Sequence, residues 1–354
     1  MILETLLSFI NLVLPFLIIL TILVFVHELG HYLIARFNGV KVEIFSIGFG
    51  KELFGINDKK GTRWKFSLIP LGGYVKMHGD EDAASSKQKK ESEIDPNISF
   101  YKKSVGQRSA ILFAGPAANY IFSFILLIFI NIFYGSPVVK PIVSELVIDG
   151  PAMQAGVKEK DLVLSVNKKQ IESFEELRQI IQKENNEYVN LTISRNNKVF
   201  DLNIFVKDKK IGIKGLEKDL KKLNFFESIN HSAYQIYFFT VSTINGIIEI
   251  FKGERNTDEL GGPIRIAELS ADFWSKGVHS TLWFMVLISL NLGLINLFPI
   301  PLLDGGHLLF NFVEFIKGSP IDKKTLELLH SIGFFVLISL MLFATYNDIS
   351  RFFI

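Results

Sequence analysis

Four stretches of this chain carry no charged residue: Thr5–Val26, Ser109–Val139, Ser280–Leu303 and Ser331–Asn347. The hydrocarbon core of a bilayer, about 30 Å thick, takes roughly 20 apolar residues in a helix. Backbone at that depth must satisfy its own hydrogen bonds. The runs therefore predict a polytopic α-helical membrane protein with four transmembrane helices. The first run lacks the basic start and small-residue cleavage site of a signal peptide, so it reads as a retained span. With 33 Phe and a net charge of only +2, the composition fits a membrane chain and gives no pull toward nucleic acid. Seven His and no Cys mean that a transition-metal site here would be built from imidazole and carboxylate.

The first run ends in His27-Glu28-Leu29-Gly30-His31. Residues four apart stack on one helix face, so His27 and His31 can aim both imidazoles at one zinc ion. Glu28 projects about 100° away from His27, beside such an ion without being its obvious ligand. Zinc makes water a usable nucleophile near neutral pH, and a carboxylate beside it takes the proton as a peptide carbonyl is attacked. Ionisable groups at the end of an apolar helix are costly and mark function, which favours this reading over a chance match.

A catalytic zinc takes a third protein ligand. The best candidate is Asp304, in Asn296-Leu297-Phe298-Pro299-Ile300-Pro301-Leu302-Leu303-Asp304-Gly305-Gly306-His307. Pro299 and Pro301 break the helix there, and irregular backbone at membrane depth is tolerated where it is buried in protein or lines a wet cavity. His307 is the rival ligand, with a helix start at the cytoplasmic surface as its alternative role. Asn296 would hydrogen-bond substrate backbone or an oxyanion, or else bond helix to helix.

Residues 38–108, between the first two spans, are rich in Lys and Arg, so the positive-inside tendency makes this loop cytoplasmic and puts the N-terminus outside. The second span returns outward and the third inward, which brings His27 and Asp304 to one face near the cytoplasmic side. A further span at Ser228–Ile248 would separate them, so that segment, within a linker region 216–279, reads as an interfacial helix. Residues 1–37 are then the first span, 109–139 the second, 280–306 the third, 307–330 a cytoplasmic loop, and 331–354 the fourth span and tail ending outside. Inside the first loop, Thr62–Pro70 and Leu71–Met77 predict a membrane-associated β-hairpin turning at Leu71-Gly72-Gly73, and Asp80–Asp95 reads as a flexible charged segment. Residues 140–215 alternate like short strands. Asp149-Gly150-Pro151-Ala152-Met153-Gln154-Ala155-Gly156-Val157, followed by Asp161–Asn167 and a Phe174–Gln182 helix, resembles the core of a PDZ domain, a peptide-binding module. A spacer or size-exclusion plug is the equal alternative.

Taken together, these residues resemble the site-2 protease family of intramembrane zinc metalloproteases, in particular the bacterial regulator-of-sigma-E protease type. The resemblance rests on the His-Glu-x-x-His span, Gly48-Phe49-Gly50, Pro70–Met77, Ala114-Gly115-Pro116-Ala117-Ala118-Asn119, Gly262–Ala267 and the Asn296–Gly306 motif, in that order. It implies zinc bound by His27, His31 and Asp304, with Glu28 as the catalytic base. Gly48, Gly50, Gly72 and Gly73 would handle substrate, with Asn296, Pro299 and Pro301 near the cleft. It further implies a protein of the bacterial inner membrane that cuts the transmembrane segment of a single-pass protein, such as an anti-sigma factor or remnant signal peptide, after an upstream site-1 protease. There is room here for a single PDZ-like domain. The alternative is a membrane scaffold or chaperone with a structural or vestigial metal. Metal transport would call for further acidic or His residues in the spans, which have none.

Overall fold

The computed structural model describes residues 2–79, 95, 97–184, 187–216, 218–254 and 261–351. Among the described residues, four helices are long and apolar enough to cross a membrane. These are α1 (Ile2–Phe37), α2 (Val105–Phe133), α7 (Val278–Asn296) and α9 (Lys323–Ser350). The second span stops at Phe133 rather than at Val139, because Gly135 takes a left-handed φ of 93° and Ser136–Val139 becomes a strand. The third stops at Asn296, short of residue 306. The predicted cytoplasmic loop at 307–330 is taken up by a helix, α8 (Asp304–Lys317), and by the first turns of α9. Asp304 therefore opens a helix instead of closing one. The charged segment 80–94 lies outside the described residues.

The chain forms two compact units, residues 1–128 with 229–354, and residues 129–228. In the first, α1 and α2 cross where neither has a side chain to spare. A Cβ on Gly30 would lie 2.2 Å from the Ala114 carbonyl oxygen and 2.7 Å from Ala118 Cβ. Small residues let helix backbones approach in membranes, where apolar burial alone gives no drive to associate. The start of α2 is fixed by a capping box: Ser104 Oγ accepts from Gln107 N, and Gln107 Oε1 accepts from Ser104 N.

Two long strands follow α1, β1 (Val42–Asn57) and β2 (Arg63–Met77). The sequence placed both hairpin strands in 62–77, with the turn at Leu71–Gly73. Both stretches are extended limbs of β2 that run in opposite directions, but they pair with the segment that holds Gly48 and Gly50 instead of with each other. The chain reverses at Asp58, whose carboxylate accepts the backbone N–H of Lys60 (2.8 Å) and Thr62 (2.9 Å) and the Trp64 indole (3.2 Å). These donors, led by Thr62 N–H, hold the Asp58 carboxyl at about 2. Gly48 and Gly50 take φ of 88° and 85°, so β1 bends there. Its first limb, Ile44–Ile47, thereby lies between Arg63–Phe66 and Gly73–Lys76. Phe45 is buried beneath this patch and stacks on Trp64 at 4.2 Å, against Tyr32 of α1.

Helix α5 (Phe225–Phe251) covers the segment read as interfacial. Its Thr240 meets Tyr120 of α2 at 3.3 Å and its Thr243 donates to Asn291 of α7 at 3.2 Å, while Tyr234, Tyr237 and Phe238 face outward. Helix α6 (Pro263–Ser275) starts on a carboxylate from the far end of the chain: Asp348 accepts from Gly262 N (2.9 Å) and Arg265 N (3.0 Å). A Cβ at Gly262 would meet Asp348 Oδ2 at 2.7 Å, which is why glycine precedes Pro263. Asp348 is 1% exposed. Asp348→Ala is expected to destabilise this junction by about 1–2 kcal/mol, the worth of an N-cap, read as a lower unfolding midpoint in detergent.

The second unit is β-rich. Strands β3 (Ser136–Val139) and β4 (Glu145–Leu146) precede the short helix α3 (Pro151–Gln154), and β5 (Leu162–Val166), β6 (Lys169–Gln170) and α4 (Phe174–Ile181) follow it. The chain continues through β7 (Tyr188–Arg195), β8 (Lys198–Phe205), β9 (Ile213–Lys214) and β10 (Lys218–Lys221). The main sheet has the order β6-β5-β7-β8. Alternate residues Val189, Leu191 and Ile193 of β7 are fully buried with Val163, Val166, Leu177 and Ile204, each worth about 1.5–3 kcal/mol on removal from water. Buried Asp161 is paired bidentately with Arg195, both bonds 2.7 Å.

Candidate metal centre

His27 and His31 leave the same face of α1 with their Nε2 atoms 3.2 Å apart. Asp304 approaches from the first turn of α8, with Oδ2 3.1 Å from His27 Nε2 and Oδ1 3.5 Å from His31 Nε2. Three ligands held at about 2.0–2.1 Å on a tetrahedral zinc ion sit about 3.3–3.4 Å from one another. The observed separations match that spacing. Among the described residues this is the one group of three or more His, Cys, Asp or Glu able to hold a metal ion.

A second observation makes the same point from the opposite helix. A Cβ on Gly115 of α2 would lie 2.2 Å from His31 Nε2 and 2.8 Å from His27 Nε2. Any side chain there would fill the space the two nitrogens face. The residues present fit a zinc ion.

The outer hydrogen bonds prepare both imidazoles for metal. His31 Nδ1–H donates to the Ile111 carbonyl at 2.8 Å, so Nε2 keeps its lone pair. His27 Nδ1 lies 3.2 Å from the Asn119 amide, whose Oδ1 is otherwise buried with no partner among the described residues. With the amide oxygen turned to the ring, Oδ1 accepts Nδ1–H and Nε2 is again free for a metal. Asn119 is itself held by α7, where Ser289 Oγ donates to its carbonyl at 3.0 Å. One face of α2, bearing Ile111, Gly115 and Asn119, thus organises both histidines.

Glu28 stands beside the cluster and contributes none of the three converging atoms. The hairpin lies against it: a Cβ on Gly73 would be 3.2 Å from Glu28 Cγ, and the Val75 N–H hydrogen-bonds the Glu28 carboxylate. Glycine at 73 lets the strand backbone come this close. Gly72 is covered by the Phe49 ring, Gly48 abuts the Ser67 and Ile69 carbonyls, and a Cβ on Gly50 would just touch Ile69 Cδ1 at 3.9 Å. These three shape the hairpin and do not touch the imidazoles.

Asn296, the last residue of α7, sets its amide 3.4 Å from His27 Nε2, at the edge of the centre. Pro299 is exposed, and Pro301 packs on α9, where a Cβ at Gly333 would come 2.3 Å from the Pro301 oxygen. Leu302, two residues before Asp304, takes a φ of 82°, a conformation that residues with a Cβ rarely adopt. His307 turns away from the cluster to ring contact with His330 of α9, centroids 5.4 Å apart. Sequence reasoning passed over Gly115, Asn119 and Leu302 as individual site residues. For Asn119 a signal existed, a polar amide in mid-span. For Leu302 none did.

Residues 15–340 match the model of peptidase family M50. Three curated relatives, each carrying the name "Putative zinc metalloprotease", align nearly end to end. The one from Rhizobium meliloti (strain 1021) is 36% identical, with 95% of each chain covered. That from Rickettsia conorii (strain ATCC VR-613 / Malish 7) is 37% identical over 96% of this chain and 99% of the relative. That from Campylobacter jejuni subsp. jejuni serotype O:2 is 36% identical over 94% and 92%. With its apolar helices, its metal-competent triad and these matches, the chain belongs to peptidase family M50, the site-2 protease family, and is a multi-pass membrane zinc metalloprotease.

Proposed function

We propose that this protein is an intramembrane endopeptidase of the regulator-of-sigma-E protease type, with His27, His31 and Asp304 as zinc ligands and Glu28 as general base. The observation that carries the reading is the convergence of three ligand atoms at zinc spacing, next to a carboxylate that is not one of them. Zinc supplies Lewis acidity at that point when bound. The protein's own groups do the rest. Glu28, steered by the Val75 N–H, accepts the proton at its carboxylate from the attacking water and hands it to the leaving amine. The Asn296 amide, at the rim beside His27, steadies the scissile carbonyl. The sheet patch beside Glu28 offers backbone to an unwound substrate, which would pair along it as an added strand.

The substrate class is a single-pass membrane protein, an anti-sigma factor or remnant signal peptide, already shortened by a site-1 protease. The β-rich unit of residues 129–228 is a single PDZ-like domain that receives the substrate's shortened outer end or excludes bulky ones. The basic loop after α1 favours a bacterial inner-membrane protein with both termini outside and the metal near the cytoplasmic face. Helix α5, with its aromatic outer face, lies in the interface. In cells whose only copy carries Glu28→Ala, a trimmed single-pass protein is expected to accumulate. Identical membrane proteomes in mutant and wild-type cells would overturn the reading.

A further inference from the structure

Helix α8 has an unusual attachment. Leu309, Phe312, Val313 and Ile316 form an exposed apolar face, and within the helix only Gly305, Gly306 and Asn311 are buried. Lipid is as apolar as these side chains, so burial does little to press this helix onto its neighbours. What meets α2 is polar. Asn311 Nδ2 donates to Ser109 Oγ at 3.1 Å, and Arg108 Nη2 donates to Glu314 Oε1 at 2.6 Å, with side chains only 10% and 18% exposed. Arg108 and Ser109 sit on the first turns of α2, just after the Ser104 capping box that fixes where the helix begins. From there the same helix presents Ile111 to His31, Gly115 to both imidazoles and Asn119 to His27.

We infer that Arg108 and Glu314, helped by Ser109 and Asn311, are positioning residues for the metal centre: they latch α8 to α2 and so set the register at which Asp304 meets the two histidines. The helix is a stiff lever about 15 Å long between Glu314 and Asp304. Its other end is set in the close-packed turn at Leu297–Ile300, where Gly305 and Gly306 leave no room for a Cβ. A helix pinned at both ends holds its first carboxylate still. One pinned only at the turn pivots, and a shift of about 1 Å at Asp304 is enough to spoil a ligand geometry. The pair is buried enough that removing one partner leaves a charge uncompensated, so each single change is felt at the lever.

This inference rests on Asp304 as a zinc ligand, and its test reads zinc directly. Zinc retention against a chelator is measured on the purified full-length protein in detergent, corrected for the folded fraction. Arg108→Ala and Glu314→Gln are each expected to release zinc about 10-fold faster, comparable to the lower end of what a group bonded directly to a metal ligand contributes. The reciprocal exchange, Arg108→Glu with Glu314→Arg, is expected to recover most of the retention. Wild-type release in both single variants overturns the latch. So does an exchanged protein that is folded yet no better than the singles. Faster release from the singles, with recovery in the exchange, supports the latch even if no membrane-tethered reporter is cleaved, which would count against the proposed substrate alone.

Discussion

Glu28→Gln is expected to keep its zinc and to lose cleavage of a membrane-tethered reporter by at least roughly 10²-fold, within the range general bases contribute. The substitution is nearly isosteric. The amide oxygen still accepts the Val75 N–H, so the side chain stays in place beside Gly73. What is lost is the group that takes a proton. Glu28 is not one of the three atoms that converge between α1 and α8, so the metal has no reason to leave. Metal analysis and reporter cleavage on the same preparation separate the outcomes. Undiminished cleavage would end the assignment of Glu28 as base, and loss of zinc would make it a ligand instead.

The local half of this centre was legible because helical geometry fixes it: once His27 and His31 are four apart on an apolar helix, their convergence follows from the helix alone. The distant half was legible as chemistry and less so as structure. Asp304 stood out beside Pro299, Pro301 and two glycines, yet the sequence put it at the end of a span. The helix has already stopped at Asn296, and the seven residues that follow turn the chain so that Asp304 starts α8. A run without charges reports apolar environment and does not report where hydrogen bonding changes. For the same reason the second span was read through to Val139, past the Gly135 break. A hairpin was legible in the first loop, but its pairing was missed for a different cause. Its partner strand contains Gly48 and Gly50, which look like loop residues until the bend they permit is seen to place Phe45 in the core. Long-range partners such as Asp348 on the α6 N-terminus, 86 residues from Gly262, carry no periodic signal at all.

The two candidates for the third ligand make opposite predictions. Asp304→Ala is expected to lose zinc, by more than the roughly 100-fold that bounds the loss of an outer partner, while His307→Ala retains it at the wild-type level. Asp304 places one oxygen near each imidazole, and it does so from the N-terminal turn of α8, where the aligned peptide dipoles favour a negative charge next to a cation site. Removing it leaves two imidazoles and no anionic ligand, a donor set too weak to hold a catalytic ion against a chelator. His307 lies three residues further along, and its ring is engaged with His330 and Phe310. Its loss opens a small gap between α8 and α9, to be read as a change in unfolding midpoint with the zinc still bound. Equilibrium dialysis against a chelator, followed by metal analysis of the folded fraction, distinguishes the two. If His307→Ala sheds the metal and Asp304→Ala keeps it, the third ligand is His307 and α8 must turn by about 60° and slide by about 4.5 Å on loading.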